Sequence, residues 1–248
     1  MTIKGFRGTP LLRLAALALI ATLTGCVKVE QTLTLNNDGS GVIDITYGMS
    51  EEAVTGMAET AKSMMEETNS SDSATMPFDF SDEDIRKDFK DYEASGVVLE
   101  SVSSEVREGW KYRHLVIRFR DLGGLAQTGF IADRDFSLSK DAAGNYVLVQ
   151  ATAGNGNVSD QLSALGGAEM EEVMNTVMQG FKAVLRVKTP GKILETNAPE
   201  KSDRSATWTF DLEKDPDALE KVQQASMRIV FEGKGLKIPE FKSASANH

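Results

Sequence analysis

Apolar and polar residues alternate in several short stretches of the chain, which is the pattern of strands with one buried face. Residues 27–35 and 42–47 both alternate, and the turn-forming sequence Asn-Asn-Asp-Gly-Ser-Gly separates them. This arrangement predicts a β-hairpin. On the first strand, one face carries Val27, Val29, Gln31, Leu33 and Leu35.

A second hairpin is predicted over residues 97–106 and 110–120, joined by Arg107-Glu108-Gly109. In its second strand Leu115, Ile117 and Phe119 share one face, and the opposite face carries Trp110, Tyr112, His114, Val116 and Arg118. The same signals predict a third hairpin and four later strands, over residues 136–139 with 146–152, 181–187, 193–194, 207–212 and 227–231.

Helical spacing of apolar residues occurs between these strands. Ser50 is the predicted N-cap of a first helix, with Glu51 and Glu52 in its first turn. A second helix is predicted from Ser81 to about Ala94. The longest runs over residues 159–180, and a short one over 215–225.

Hairpins interrupted by helices, without regular βαβ alternation, predict an α+β fold. We expect a largely antiparallel curved sheet built from hairpins, with helices packed on one face. A long helix that closes over such a sheet leaves an apolar cleft between the two, and a cleft of this kind suits a small ligand.

The first 25 residues differ from the rest of the chain. Lys4, Arg7 and Arg13 precede an apolar stretch at 14–22, which is shorter than the ~20 residues that span a bilayer. The next residues, Leu23-Thr24-Gly25-Cys26, resemble a bacterial lipobox. That resemblance implies cleavage after Gly25, diacylation of the Cys26 sulfur and a second acylation at the new amino terminus.

Two alternatives are an ordinary signal peptide with a chance cysteine and an uncleaved membrane helix. The helix is disfavoured because Arg13 interrupts the apolar run and a strand pattern begins at Val27. We therefore expect residues 1–25 to be a removed lipoprotein signal peptide, 26–242 a single α+β lipoprotein domain and 243–248 a disordered tail.

The net charge of the chain limits the classes of molecule that it can bind. The chain has 27 basic and 37 acidic residues, and residues 1–25 hold three of the basic ones, so 24 remain against 37, a formal charge of −13. Such a surface repels nucleic acid and anionic lipid headgroups, so we expect neither as a ligand. We expect a cell-envelope protein held by acyl chains on Cys26 on the non-cytoplasmic side, at the inner or outer membrane. Val27 in place of an aspartate after the cysteine favours the outer one.

The sequence carries no catalytic motif that we recognise. His114 could serve as a base, but it lies on a strand among Trp110, Tyr112 and Val116, so a packed or surface imidazole is the preferred interpretation. The acidic run Asp82-Glu83-Asp84 is interpreted as a solvated helix start rather than a metal site. We expect no enzyme activity, no metal and no cofactor.

Methionines are concentrated in two predicted helices. Their flexible, polarizable side chains fill gaps in ordinary cores, but they also line adaptable apolar grooves. The ordinary core role is the more common of the two. The functional interpretation is a groove for an acyl chain or a partner, with Met57, Met64, Met170, Met174 and Met178 as candidate ligand-binding residues.

Two end segments carry a resemblance to a known family. "CVKVEQTLTLNNDGSGVIDITYGMS", residues 26–50, places a hairpin directly behind the lipobox cysteine, and "LETNAPEKSDRSATWTFDL", residues 194–212, follows Thr-Asn-Ala with a polar loop and Thr-Trp-Thr-Phe. Together they resemble the LppM-like family of bacterial lipoproteins. The resemblance implies a cell-envelope protein with an α+β domain similar to lipid-holding folds, and transfers one functional residue, Cys26.

The sequence is compatible with three functions. The first is a lipid-anchored protein that binds an apolar, lipid-like ligand through a cleft between sheet and helix. The second is a structural or assembly protein that docks envelope proteins and binds nothing small. The third, a lipid- or glycan-processing enzyme, is the least supported because no motif marks a reaction centre.

Overall fold

The computed structural model describes residues 27–55, 82–126, 128, 134–152, 178 and 180–242. Its strands are, in chain order, β1 (Val27–Leu35), β2 (Gly41–Ser50), β3 (Val97–Arg107), β4 (Trp110–Phe119), β5 (Arg134–Lys140), β6 (Tyr146–Thr152), β7 (Lys182–Lys188), β8 (Ile193–Thr196), β9 (Glu200–Lys201), β10 (Ser205–Asp211), β11 (Ser226–Phe231) and β12 (Phe241–Lys242). Its helices are α1, of which residues 51–55 are described, α2 (Asp82–Lys90), α3 (Leu122–Ala126) and α4 (Ala218–Gln223).

The strands divide between two sheets. The larger has the order β3-β4-β2-β1-β7-β10-β9 and the smaller the order β12-β5-β6-β11-β8. All paired strands are antiparallel except β1 and β7, which run parallel. The predicted α+β class and its largely antiparallel hairpins are therefore confirmed, and the finer finding is that the strands form two sheets.

The two sheets share one hydrophobic core. In the larger sheet, Leu33 of β1 pairs with Ile43 of β2, which pairs with Ile117 of β4, and all three side chains are buried. We call the face that carries them the inner face. The smaller sheet contributes the other half of the same core cluster, including Leu138, Leu148, Ile229 and Phe231.

The first helices begin as their sequences predict. The backbone N–H of Ala53 donates to the Ser50 hydroxyl at 3.2 Å, so Ser50 caps α1. In α2, Ile85 and Phe89 are buried and join the core. This helix ends at Lys90, earlier than the predicted Ala94, because a 3₁₀ turn (Glu93–Ser95) follows and Gly96 takes a left-handed φ of 77°.

Several predictions concern residues that are not described. They are the signal segment 1–25, the tail 243–248 and most of the helix predicted over 159–180; within that helix Met178 is described and is helical. The helix predicted over residues 215–225 is present as α4 (Ala218–Gln223). No helix within the described ranges is both long and apolar enough to cross a membrane.

One buried side chain ties the C-terminal segment to the smaller sheet. The hydroxyl of Tyr146 donates to the carbonyl oxygen of Ile238 at 2.8 Å and accepts from its N–H at 3.0 Å. Tyr146 is completely buried, and its ring stacks on Phe231 with centroids 5.5 Å apart. Nearby, Lys237 donates its N–H to the carbonyl of Asn37 in the first hairpin turn. The segment thus connects the two sheets.

Removing the Tyr146 hydroxyl tests this link. Tyr146→Phe leaves the N–H and C=O of Ile238 without their partner in a buried place, so we expect the free energy of unfolding to fall by about 1–3 kcal/mol. Tyr112→Phe is the matched control, because the Tyr112 hydroxyl has no hydrogen-bond partner among the described residues. Denaturant unfolding gives the free energy of unfolding of both variants. Equal stability of the two would contradict a stabilising role for the hydrogen bonds between Tyr146 and Ile238.

Candidate functional site

The inner face of the larger sheet becomes more polar toward the end where β1 begins. Near the middle of the strands, the cross-strand neighbours Ile45, Leu115 and Val102 are all apolar. The next two rows toward Val27 bring an arginine and a lysine onto the same face: Tyr47 with Arg113 and Ser104, then Met49 with Lys111 and Val106.

A second, smaller hydrophobic cluster covers this end of the sheet. It consists of buried side chains from the ends of β1, β2 and β7 and from α1, with Val54 of α1 and Met178 packed against it. Its buried members are Val27, Met49, Ala53, Phe181 and Ala183. We call it the end cluster. Ala53 and Val54 of α1 and Met178 therefore lie at the same end of the sheet.

A pocket of about 170 Å³ lies beside the end cluster, between α1 and the hairpin β3–β4. It is smaller than the ~300–1,000 Å³ of most small-molecule sites. Its wall is mainly apolar but contains charged groups, and the lining residues are Tyr47, Met49, Val54, Ser104, Glu105, Val106, Lys111, Tyr112 and Arg113.

Arg113 is held by a small polar network on the pocket wall. Its Nε donates to the Ser104 hydroxyl at 3.0 Å, and that hydroxyl donates to Asp82 Oδ1 at 2.9 Å. Arg113 Nη2 lies 3.8 Å from the same carboxylate oxygen. Since Asp82 belongs to the first turn of α2, this network joins that helix to the strands β3 and β4.

One nitrogen of this guanidinium is left without a partner. Nη1 of Arg113 is buried and has no hydrogen-bond partner in the described part of the chain, while the whole side chain is 13% exposed. A buried donor of this kind costs about 1–3 kcal/mol when it is unpaired, and more when it is charged.

Basic and acidic groups both lie around Arg113, whose Nη2 is 3.8 Å from the Asp82 carboxylate. Burial raises the pKa of Tyr47, although the Arg113 guanidinium opposes that shift, so the Tyr47 phenol stays neutral at physiological pH. The lining carboxylate, Glu105, is ion-paired with Arg107 at 3.4 Å. Lys111 supplies a second positive charge on the same wall.

His114 lies on the opposite, outer face. Its Nε2 is 3.0 Å from Asp44 Oδ1, and the two side chains are 42% and 53% exposed. A groove of about 410 Å³ lies beside it, lined by Thr46, Ser103, Ser104, Glu105, Arg107, Tyr112 and His114. In the described ranges no group of three His, Cys, Asp or Glu side chains could hold a metal ion.

The predicted site residues fall mostly outside the described residues. Those outside are Cys26, Met57, Met64, Met170 and Met174, and the structure therefore does not test them. Met178 is described; it is half-buried and packs against the end cluster.

Arg113 is the residue that our sequence interpretation did not include. Leu115, Ile117 and Phe119 were assigned to one face of β4, and the same two-residue period places Arg113 and Lys111 on that face. A charged residue in register with a buried apolar series is the signal that could have identified it. The tertiary structure adds that the guanidinium is buried and incompletely paired.

A binding role for Arg113 predicts that it contributes little to stability. In Arg113→Met the unpaired donor disappears, and Asp82 keeps its contact with solvent at 42% exposure. We therefore expect the free energy of unfolding to change by less than about 1 kcal/mol or to rise. Leu115→Ala, two residues along the same face and 4% exposed, should lose about 2–5 kcal/mol. If denaturant unfolding showed that Arg113→Met and Leu115→Ala lose equal free energy of unfolding, Arg113 would be a structural residue.

The similarity of the chain to known proteins is slight. No family model matches the chain, and no curated protein matches it. Among solved structures it is similar to the NMR structure of the folded domain of LppM from Mycobacterium tuberculosis, with 13% sequence identity over 84% of this chain and 91% of that one. The TM-score is 0.40, which shows too slight a likeness to carry an argument. The family resemblance of the two end segments therefore remains a prediction.

Proposed function

We propose that this protein is a lipid-anchored cell-envelope lipoprotein whose folded part binds an amphiphile with an apolar chain and an acidic head group. Cys26 is the anchor, and the pocket beside the end cluster is the binding site. The protein is non-catalytic, needs no cofactor, and acts by holding its ligand at a membrane.

The partly unpaired guanidinium of Arg113 is the observation that carries this proposal. Its Nη1 is buried, and the Arg113 side chain lines a pocket whose other walls include Tyr47, Met49 and Val54. A charged donor beside apolar side chains is complementary to a carboxylate or phosphate at the end of a hydrocarbon chain. Purely apolar molecules would leave the donor unpaired, and small polar anions would leave the apolar wall exposed to water.

The pocket volume suits the head group and the first part of such a chain. About 170 Å³ is too small for a whole long-chain lipid. The rest of the chain would run along the end cluster toward Val54. Met57 and Met64 come next on the first predicted helix, at the spacing that continues its apolar face.

A purely structural docking protein is less well supported. That function favours a contiguous exposed apolar patch. The exposed large apolar side chains among the described residues are Val98, Val106 and Leu194, and they are isolated from one another along β3 and β8. An enzyme is also less well supported, because the His114 and Asp44 side chains that pair with each other are 42% and 53% exposed.

Ligand binding can be tested at the head group. We expect the full chain in lipid nanodiscs to bind a fluorescent fatty acid saturably, with empty nanodiscs as the blank. Arg113→Gln should weaken this binding by about 10- to 100-fold, because a charge-assisted hydrogen bond contributes about 1.5–3 kcal/mol. The corresponding fluorescent fatty alcohol should bind the native protein and the variant equally, since it carries no charge.

Arg118→Gln is the matched control for this measurement. Arg118 lies on the same strand but on the outer face, where it is paired with Glu100 at 2.6 Å, so its loss should leave both affinities unchanged. The proposed site would be contradicted if the native protein did not bind the fatty acid. It would also be contradicted if Arg113→Gln bound the fatty acid as tightly as the native protein does.

The anchor is tested separately by mass spectrometry of the mature amino terminus in a bacterial host. We expect the chain to begin at Cys26, with the mass of a diacylglyceryl group and of an amide-linked acyl chain where the host adds one. Cys26→Ser should abolish palmitate incorporation and release the protein from the membrane fraction. A native chain that begins elsewhere, or carries an unmodified Cys26, would refute the anchor.

A further inference from the structure

Aromatic and basic side chains are interleaved on the outer face of the larger sheet, at the end where β1 begins. The rings of Trp110 and Tyr112 stack with centroids 5.9 Å apart. Lys28 Nζ lies 4.0 Å from the centroid of the Trp110 ring, and the Arg107 guanidinium lies 4.5 Å from that of Tyr112. We call these four residues the aromatic patch.

A glycine allows the patch to lie flat on the sheet. Gly48 of β2 pairs with Tyr112 on one side and with Lys28 on the other. A Cβ atom at position 48 would lie 2.6 Å from Cε1 of the Tyr112 ring, closer than van der Waals contact allows. The ring therefore rests on the backbone of β2, and the aromatic surface is continuous from β4 toward β1.

The register places the patch beside the attachment point of Cys26. Val27 pairs with Met49, so the next row beyond Val27 is the one that contains Ser50 and Trp110. Neighbouring strands lie ~4.8 Å apart, and β4 is two strands from β1, so the backbone of Trp110 lies about 10 Å to the side of β1. Consecutive Cα atoms are ~3.8 Å apart, so the covalent bond keeps the Cα atom of Cys26 within that distance of the Cα atom of Val27.

No linker separates the cysteine from the folded sheet, because β1 starts at Val27. A lipid-bearing residue at that position holds the end of the sheet against the bilayer surface. An acylated Cys26 would therefore bring side chains at this end within reach of phospholipid headgroups.

We propose that the aromatic patch docks in the headgroup region of the phospholipid bilayer that holds the anchor, an inference that rests on the proposed acylation of Cys26. Trp and Tyr rings favour the boundary between headgroups and acyl chains, where the apolar ring and its polar edge are both satisfied. Lys28 and Arg107 lie over these rings and reach lipid phosphates while their stems stay on the aromatic surface.

Net charge is not the main attraction. Glu105 pairs with Arg107 at 3.4 Å, and Glu108 lies at the tip of the same hairpin, so acidic groups offset much of the basic charge. Insertion of the rings is the dominant contribution, and docking should therefore occur on zwitterionic as well as anionic lipid.

The two tryptophans of the chain allow a direct test. Trp208→Phe leaves Trp110 as the sole tryptophan, and Trp110→Phe leaves Trp208, which is 6% exposed in the core. The acylated full-length proteins are reconstituted into phosphatidylcholine vesicles whose lipids carry bromine near the headgroup end of the chain. We expect the fluorescence of Trp110 to be quenched several-fold more strongly than that of Trp208. If Trp208→Phe does not fold, the difference between the native protein and Trp110→Phe reports Trp110.

The amino-terminal mass of the same samples separates the two proposals. Acylated protein in which Trp110 is quenched no more than Trp208 would overturn the docking of the patch and leave the anchor intact. An unacylated Cys26 in a native host would overturn the anchor, and the docking with it. Strong quenching that is lost in Gly48→Leu, where the Tyr112 ring is displaced, would support the patch as the docking element.

Discussion

β1 lies in the interior of the larger sheet and is hydrogen-bonded on both sides, antiparallel to β2 and parallel to β7. Its register decides which side chains of its neighbours share a row, and thus which of them face the smaller sheet. A shift by one residue would turn Leu33 and Leu35 from the core to solvent, so the buried face specifies the register strongly. The register between β2 and β4 places Tyr47 beside Arg113, and together with the register between β1 and β2 it places Trp110 one row beyond Val27.

Different parts of the strands serve stability and the proposed binding. Where the two sheets pack together, the inner face is apolar, and Ile43, Ile117 and Phe119 are each at most 3% exposed. Toward the start of β1, Arg113 and Lys111 replace apolar residues on that face. A buried guanidinium that is incompletely paired lowers the stability that this position could otherwise provide. Its presence is explained by the proposed acidic ligand, and the core at the other end of the strands tolerates the loss.

The proposed anchor, docking patch and ligand pocket lie at one end of the sheet. Tyr112 belongs to the aromatic patch and also lines the pocket, and Lys111, its neighbour in β4, points to the pocket side. A ligand with an acyl chain is most concentrated in the bilayer, because burial of each methylene there contributes about 0.8 kcal/mol. Holding the pocket at the surface of the membrane would let such a ligand pass between bilayer and protein without crossing water.

The sequence by itself determined the local features. Period-two alternation and turn residues predicted the hairpins β1–β2, β3–β4 and β5–β6, and Glu108 and Gly109 at the second turn adopt the positive φ values, 53° and 74°, that such tight turns require. Ser50 was identified as a helix cap from its neighbours alone. These predictions succeed because each depends on residues within a few positions of one another.

The tertiary structure decided the rest: the parallel pairing of β1 with β7, the division into two sheets, and the position of β12 beside β5. It also decided that Ser104 and Asp82 leave one Arg113 nitrogen unpaired. Those features join residues far apart in the chain, and their stability comes from burial and pairing that no local pattern encodes.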